Sequence, residues 1–419
     1  MNIRTEPFRA NGTVKAPSSK SDIHRILICA AFADRPTKLF AAGSVSDDIK
    51  ATLRSLHALG ADMKNISQGI YEIIPAKEIP SSAEIFCAES GSTLRFMLPV
   101  AAAVCKSHVF TVSGRLSSRP VSELLDVLAE HGKTNSGTSF PITLSGTLSG
   151  GDYRIPGNIS SQYVSGLLMS FPLTGGKNSV TLTSPLSSKE YAGMTADTMA
   201  RFGCPVTHTD NCFSCESTGY SGPSEITAEG DWSGAAFLLA AGALSGSVTV
   251  NGLKSDSHQP DRAIAGILRR YGAEVKQDEN SITVSAGNRR AFDIDADGFP
   301  DLVPVLCILA AGAEGTSVIR GISRLRAKES DRVESCRMLI DSLGGRLSAD
   351  GDKMMISGSR FLRGGRVNSF NDHRIAMAAA TAACICRQNV DITDAQCVAK
   401  SYPAFFSDII SLGGEGHVL

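Results

Sequence analysis

Aromatic residues are scarce, 6% of the 419 residues with a single Trp, and no basic tract carries the interleaved aromatics on which single-stranded nucleic acids stack. Net charge is nearly absent as well. It is −1 at pH 7, from 41 Lys and Arg against 42 Asp and Glu, which excludes a general affinity for nucleic acid. The longest apolar runs stop near about a dozen residues, short of the roughly 20 needed to span a bilayer. The start, Met1-Asn-Ile-Arg-Thr-Glu6, lacks the apolar core of a secretory signal. A cytoplasmic monomer with neither a membrane nor a nucleic-acid partner is the expectation.

The 11 cysteines are odd in number, and many sit in apolar stretches (Cys29, Cys105, Cys307, Cys384, Cys386), which suits buried, reduced thiols. Cys204, His208, Cys212 and Cys215 have spacings a zinc site could use. The same stretch alternates like a hairpin with Asp210-Asn211 as its turn, which sets Cys212 and Cys215 on opposite faces and argues against a metal. His24, His57, His108, His131, His208 and His258 read as lone surface or capping residues.

What the chain does have is a repeat. A Gly closing an amphipathic stretch recurs at Leu59-Gly60, His131-Gly132, Phe202-Gly203, Tyr271-Gly272, Leu343-Gly344 and Leu412-Gly413, a period of about 70 residues. A second, Ala-rich stretch recurs with it, beginning near His24, Thr93, Tyr163, Ser233, Leu302 and His373. The first kind of helix (Asp48 to Leu59, Ser122 to Glu130, Asp331 to Ser342) carries its charges on one face and reads as exposed. The second is apolar nearly all round and must be buried. Short alternating strands lie between them, among them Ser179 to Leu182, Ser247 to Val250, Ser281 to Val284 and Val390 to Thr393. The class is therefore α/β, with buried Ala-rich helices inside and sheets outside. Six units divide as three plus three, with a seam near Glu225 to Gly230.

Each buried helix has a polar leader: Lys20-Ser21 with Arg25, Ser90-Gly91-Ser92-Thr93, Ser160-Ser161-Gln162, Asp231, Pro300-Asp301, and Asn371-Asp372-His373-Arg374. Any one of them suits an ordinary N-cap. Six together do not read that way, because caps have no need of Lys, Arg, Gln and His. Unpaired N–H groups and positive dipole ends, converging, would trap anions. Further cations cluster in Arg115-Leu-Ser-Ser-Arg119-Pro120, Arg326-Ala-Lys328-Glu329-Ser-Asp331-Arg332 and at Lys400, in the company that phosphate and carboxylate ligands require.

In this order these motifs resemble the enolpyruvyl transferases, in the branch acting on shikimate 3-phosphate, over essentially the whole chain. The resemblance implies a two-domain inverse α/β barrel-like fold of six βαβαββ repeats, three per domain. One domain would be residues 1–18 with 229–419 and the other residues 19–228, closing like a clamshell on a site in the cleft between them. The implied substrates are two small anions, phosphoenolpyruvate and shikimate 3-phosphate, with no cofactor and no metal, since Arg and Lys stand in for one. Shikimate 3-phosphate would be bound by Lys20, Ser21, Arg25, Ser160, Ser161, Gln162, Ser188, Asp301 and Lys328. Phosphoenolpyruvate would fall to Lys20, Gly91, Arg95, Arg119, Gln162, Arg332, His373, Arg374 and Lys400. The implied chemistry adds the 5-hydroxyl to C2 of phosphoenolpyruvate while C3 takes a proton, and the tetrahedral ketal then loses phosphate. Glu329 is the expected acid at C3, Asp301 the base, and Lys20 the proton shuttle.

Some positions depart from the family pattern: Glu89, Phe96, Arg324 and Ser117-Ser118 replace other residues, without removing a catalytic group. A transferase acting on a UDP-amino sugar shares the fold but carries a Cys in the loop that here reads Gly114-Arg-Leu-Ser-Ser-Arg-Pro120. RNA 3′-phosphate cyclases would need a catalytic His and a basic surface. A non-catalytic phosphate-ligand sensor would not need Lys20, Asp301 and Glu329 together.

Overall fold

The computed structural model describes residues 1–419, and twelve α-helices alternate along them. They are α1 (Lys20–Ala31), α2 (Asp47–His57), α3 (Gly91–Val104), α4 (Ser122–Glu130), α5 (Ser161–Thr174), α6 (Glu190–Arg201), α7 (Trp232–Ser245), α8 (Ile264–Tyr271), α9 (Val303–Ala311), α10 (Arg332–Ser342), α11 (His373–Ala382) and α12 (Phe405–Ser411). The odd-numbered helices are the buried ones; every residue of α9 and of α11 is enclosed. The even-numbered helices are amphipathic, as α8 illustrates: Ile267 and Leu268 are buried while Arg269 and Arg270 face water. Each even helix ends at its repeat glycine, and Gly60, Gly132, Gly203, Gly272, Gly344 and Gly413 all adopt positive φ, between 75° and 99°. A left-handed residue after the last turn lets its N–H close on the free carbonyls, and glycine does so without strain.

Six four-stranded sheets share one topology. Ser82–Phe86 runs parallel to Ser107–Thr111, with α3 between them in sequence; Ile142–Gly146 and Lys133–Asn135 then add antiparallel. This is the βαβαββ repeat. Strand faces alternate, as in Ser247–Asn251, where Val248 and Val250 are buried and their neighbours are not. Residues alternate because one face of each sheet lies on buried helices. The α/β class expected from the sequence is the one found, helices within and sheets without.

The chain divides into two compact units, Met1–Pro17 with Glu229–Leu419, and Ser18–Ala228. Each holds three of the sheets and one apolar core. Two strands are exchanged relative to sequence order. Asn11–Lys15 pairs with Ser247–Asn251, although α1 follows it, and Glu225–Thr227 pairs with Thr37–Phe40, although α7 follows it. The chain ends meet in one sheet, where Ile3–Thr5 pairs with both Val390–Thr393 and Gly416–Val418.

Two of the histidines are not where the sequence suggested. His24 and His108 are enclosed. His24 Nδ1 lies 2.8 Å from Thr52 Oγ1, and burial, with Lys20 and Arg25 nearby, keeps its ring neutral. His108 packs edge-on against Phe110, and burial beside Lys133 pushes its ring down to about 3. His108 alternates with buried Phe110 along its strand, and His24 sits on the buried helix α1; polarity alone suggested otherwise. The Cys212 hairpin forms as expected, with Cys215 buried and Cys212 half-buried, and all eleven thiols are free.

Candidate active site

In the unit Ser18–Ala228, α1, α3 and α5 start side by side. Arg95 on the second turn of α3 donates from Nη1 to Gln162 Oε1 on the first turn of α5 at 3.0 Å, and from Nη2 to the Pro120 carbonyl at 3.2 Å. Gln162 Nε2 donates in turn to Ser92 Oγ at 2.9 Å. Side chains cap all three helix starts: Ser19, Ser90 and Ser160 accept from Asp22, Thr93 and Gln162 backbone N–H groups. Gly91 lies under two guanidinium groups. A Cβ there would stand 2.6 Å from Arg119 Nη1 and 2.9 Å from Arg95 Nη1. Glycine at this position lets two cations come close to the N–H groups of a helix start, a combination that suits a bound anion.

Arg25 is enclosed and donates from all three of its guanidinium nitrogens. Its Nε donates to Thr195 Oγ1 at 2.7 Å, Nη1 to the Ser21 carbonyl at 2.6 Å, and Nη2 to the Tyr191 carbonyl at 3.0 Å. Burial pulls its guanidinium down to about 10, so it stays charged at neutral pH. Phe96, one of the departures, stacks its ring 5.1 Å below that guanidinium. Ser188 is buried at the entry to α6 with φ +52°, a conformation a serine holds only where its surroundings fix it. Lys20 Nζ donates to Asp48 Oδ2 at 2.7 Å, and both are largely buried. Asp48, on the first turn of α2, carried no sequence signal beyond an acid at a helix start.

In the other unit a single guanidinium ties three carboxylates together. Arg332, 1% exposed, donates from Nη1 to Asp301 Oδ1 at 2.7 Å, from Nη2 to Glu329 Oε2 at 2.7 Å and from Nε to Asp372 Oδ2 at 2.9 Å. Arg374 Nη2 donates to Asp301 Oδ2 at 2.9 Å, and Lys328 Nζ is 3.7 Å from Asp301 Oδ1. Burial pushes the Asp301 carboxyl up, but Arg374, Lys328 and Arg332 together outweigh it and hold it well below the usual carboxylate range. Asp372 also caps α11 through the Arg374 backbone N–H at 3.0 Å and accepts from Ser330 Oγ at 3.0 Å. Its Arg332 partner holds it below the ordinary range despite burial. His373 is buried beside it, and Lys400 Nζ donates to the Asn371 carbonyl at 2.7 Å. Arg324 is tied to Asp297 at 3.0 Å.

Thus Lys20, Ser21, Arg25, Gly91, Arg95, Ser160, Ser161 and Gln162 lie at the helix starts of one unit, with Arg119 over Gly91 and Ser188 just before α6. Asp301, Lys328, Glu329, Arg332 and Arg374 form one network in the other, flanked by His373 and Lys400. Sequence reasoning gave Asp372 no role, although its cap position and its place in the motif were visible. One trio of potential metal ligands, Glu6, Glu415 and His417, gathers its donor atoms within 4.8 Å, and it includes none of these residues. No helix is long and apolar enough to cross a membrane.

The architecture is that of the enolpyruvyl transferases. The solved EPSP synthase of Acinetobacter baumannii superposes with a TM-score of 0.82 at 24% identity, covering 100% of both chains. The enolpyruvyl transferase NikO of Streptomyces tendae superposes at 0.77 and 16% identity, over 99% of this chain and 98% of that one. Sequence narrows the assignment. The family profile described as EPSP synthase (3-phosphoshikimate 1-carboxyvinyltransferase) matches residues 5–409. Proteins named 3-phosphoshikimate 1-carboxyvinyltransferase are similar throughout: 37% identical in Clostridium kluyveri (99% of this chain, 97% of the relative) and 36% in Methanocorpusculum labreanum (99% of each). The chain belongs to the EPSP synthase family.

Proposed function

We propose that this chain transfers the enolpyruvyl group of phosphoenolpyruvate to the 5-hydroxyl of shikimate 3-phosphate, releasing phosphate in the route to aromatic amino acids. The observation that carries the reading is the Asp301 network, in which three cations converge on one carboxylate while Arg332 also holds Glu329. A protein that only bound phosphate would gain nothing by burying carboxylates among its cations, since they compete with the ligand.

In this reading the ligand anions take over contacts that the carboxylates hold in the free protein. A phosphate or carboxylate accepting from Arg374 and Lys328 relieves Asp301 of its cations, and the proton affinity of Asp301 rises as they leave. Asp301 then takes the proton of the attacking 5-hydroxyl as the O5–C2 bond forms. Glu329 takes up a proton as its Arg332 contact is lost, delivers that proton to C3 and is left as the carboxylate. In the second step the C2–O bond to phosphate breaks while C3 gives its proton back to the Glu329 carboxylate, which restores the double bond. Lys20, released from Asp48, offsets negative charge on the departing phosphate. Arg25, Ser21, Ser160, Ser161 and Ser188 would hold shikimate 3-phosphate. Gly91, Arg95, Arg119, Gln162, His373 and Lys400 would orient phosphoenolpyruvate. Holding both reactants in attack geometry is itself a large contribution.

Because the two sets of residues lie in different units, the reading requires the units to close on ligand around one shared cleft. It further places the chain in the cytoplasm as a monomer, without nucleic-acid partners. The test of function is phosphate release from phosphoenolpyruvate with and without shikimate 3-phosphate, with a UDP-amino sugar as the alternative acceptor. The loop Gly114–Ser118 with Arg119 offers no cysteine to the latter.

A further inference from the structure

His24 stands one turn after Lys20 on α1, and Thr52 one turn after Asp48 on α2. The two helices are joined by two rungs. The outer rung is the ion pair of Lys20 Nζ with Asp48 Oδ2 at 2.7 Å, whose side chains keep 14% and 12% of their exposure. The inner rung is neutral and enclosed: His24 Nδ1 lies 2.8 Å from Thr52 Oγ1, and His24, Thr52 and Thr93 are all 0% exposed. It continues onto α3. Thr52 Oγ1 lies 2.7 Å from Thr93 Oγ1, and the Thr93 hydroxyl faces two acceptors, Ser90 Oγ at 2.8 Å and the Asp48 carbonyl at 3.3 Å. Counting hydrogens gives the chain a direction. Thr93 spends its one hydroxyl hydrogen on those acceptors, so it accepts from Thr52, and Thr52 in turn accepts from His24. His24 is thereby the neutral tautomer with its hydrogen on Nδ1, and Nε2, which has no hydrogen-bond partner, is the bare nitrogen. Phe96 meets the ring edge-on at 6.1 Å and fixes it from a second side. At the far end of the chain, Ser90 caps α3 directly before Gly91, over which Arg95 and Arg119 lie.

We propose that His24 is a positioning residue: through Thr52 and Thr93 it holds the start of α1 against the starts of α2 and α3, so that Lys20 and Gly91 keep their places when Lys20 leaves Asp48. This rests on the enolpyruvyl-transfer reading, in which Lys20 exchanges Asp48 for the departing phosphate and the outer rung opens. The inner rung carries no charge for an anion to compete with, and each of its buried members would be left unpaired by letting go. Arg25 is anchored elsewhere, by Thr195 and the Tyr191 carbonyl on α6 and by Ser165 on α5. The grip on shikimate 3-phosphate assigned to Arg25 therefore does not pass through His24. Loss of the inner rung should reach turnover and phosphoenolpyruvate, which depend on Lys20 and on the start of α3, and spare the first substrate.

The experiment measures kcat, KM for phosphoenolpyruvate, binary shikimate 3-phosphate affinity and melting midpoint in the full-length chain and in four variants. His24→Asn keeps a side-chain N–H where Nδ1–H stood and should rescue, with kcat and KM near those of the wild type. His24→Leu fills the space without a donor, and Thr52→Val copies the shape of threonine without its hydroxyl. Each of these two should lower kcat/KM for phosphoenolpyruvate by roughly ten- to hundredfold, the scale of a reacting group misplaced by about an ångström, with shikimate 3-phosphate affinity near wild type. Because His24 acts through Thr52, the double variant His24→Leu with Thr52→Val should be no slower than the worse single one. Thr52→Val, the smaller change, carries the test where His24→Leu folds poorly. Lowered melting midpoints with kcat and KM unchanged would make the chain a purely structural one and overturn the proposal. An Asn variant as slow as the Leu variant would overturn it too, as would a loss of shikimate 3-phosphate affinity equal to the loss for phosphoenolpyruvate. Absence of any phosphate release by the wild type would instead overturn the enolpyruvyl reading, and this inference with it.

Discussion

Arg332 Nη1 donates to Asp301 Oδ1 at 2.7 Å, so the residue expected to act as base is bonded, in the free protein, to a guanidinium expected to bind substrate. The partners lie 31 positions apart, on α10 and on the turn before α9. The contact sets the resting state. Asp301 is held ionised by its cations, and under the proposed function it gains base strength only when substrate anions compete for them.

Asp301→Asn and Glu329→Gln should leave binary binding of shikimate 3-phosphate largely intact while lowering kcat by roughly two to four orders of magnitude, the scale of a lost acid or base. Calorimetry and steady-state rates on the same preparations check both halves. Near-normal turnover in either variant removes that residue from the chemistry.

Lys328→Met should weaken binary shikimate 3-phosphate binding by about ten- to hundredfold, the loss of one charge-assisted contact. Arg119→Ala should spare that affinity and raise the phosphoenolpyruvate requirement instead. Arg332→Ala is a different case: at 1% exposure it would leave three carboxylates without their shared cation. Breaking a buried pair in this way costs about 3–5 kcal/mol, so its thermal midpoint should fall well below those of the other two variants. Equal midpoints for all three would contradict the role of Arg332 as the hub of the network.

Gly91→Ala introduces a methyl 2.6 Å from Arg119 Nη1 and 2.9 Å from Arg95 Nη1. Both obstacles are the far ends of flexible side chains, so the fold should survive and the guanidinium groups should move. The expected outcome is a raised KM for phosphoenolpyruvate with unchanged shikimate 3-phosphate binding, measured on protein whose melting curve matches wild type. An unchanged KM would mean that these two cations do not meet that substrate.

Asp261, enclosed in the short turn Pro260–Ala263 before α8, has a folded-state pKa that burial lifts above its unfolded one, about 7 against 3.8. Its contribution to stability is therefore full below about pH 4 and lost as pH rises towards 7, by at most about 4 kcal/mol. Asn carries no such dependence. The melting midpoint of Asp261→Asn relative to wild type should rise between pH 4 and pH 7 and level off above. Asp301 has the opposite sign, with stability present above the ordinary Asp value and lost as pH falls through its depressed folded value. That loss is common to both proteins. A difference in midpoints that stays flat from pH 4 to pH 8 would show that Asp261 is not a buried neutral acid.

Much of this was legible in the sequence, because repetition makes weak signals add. One glycine after an amphipathic stretch means little; six at one period, each left-handed, mark six helix ends. The leaders of the buried helices gave Lys20, Gly91, Gln162, Asp301 and Arg374 in the same way. What escaped was pairing between helices. Nothing local in the sequence says that Arg332 reaches Asp372, 40 positions on, or that Lys20 reaches Asp48. His24 and His108 misled because a polar side chain in a short apolar stretch reads as surface, whereas packing enclosed both. Asp261 follows a proline at the start of a turn and looks like an ordinary cap; only burial distinguishes it.

Scattering tests the closure that the proposed function requires: the radius of gyration should shrink when shikimate 3-phosphate is added. An unchanged radius would sink ligand-driven closure while leaving the chemistry standing.

The central claim is tested most directly by phosphate release from phosphoenolpyruvate. The account predicts release only when shikimate 3-phosphate is present, one phosphate for each enolpyruvyl group found on its 5-hydroxyl. Release without that acceptor, release with a UDP-amino sugar instead, or no release at all would contradict it.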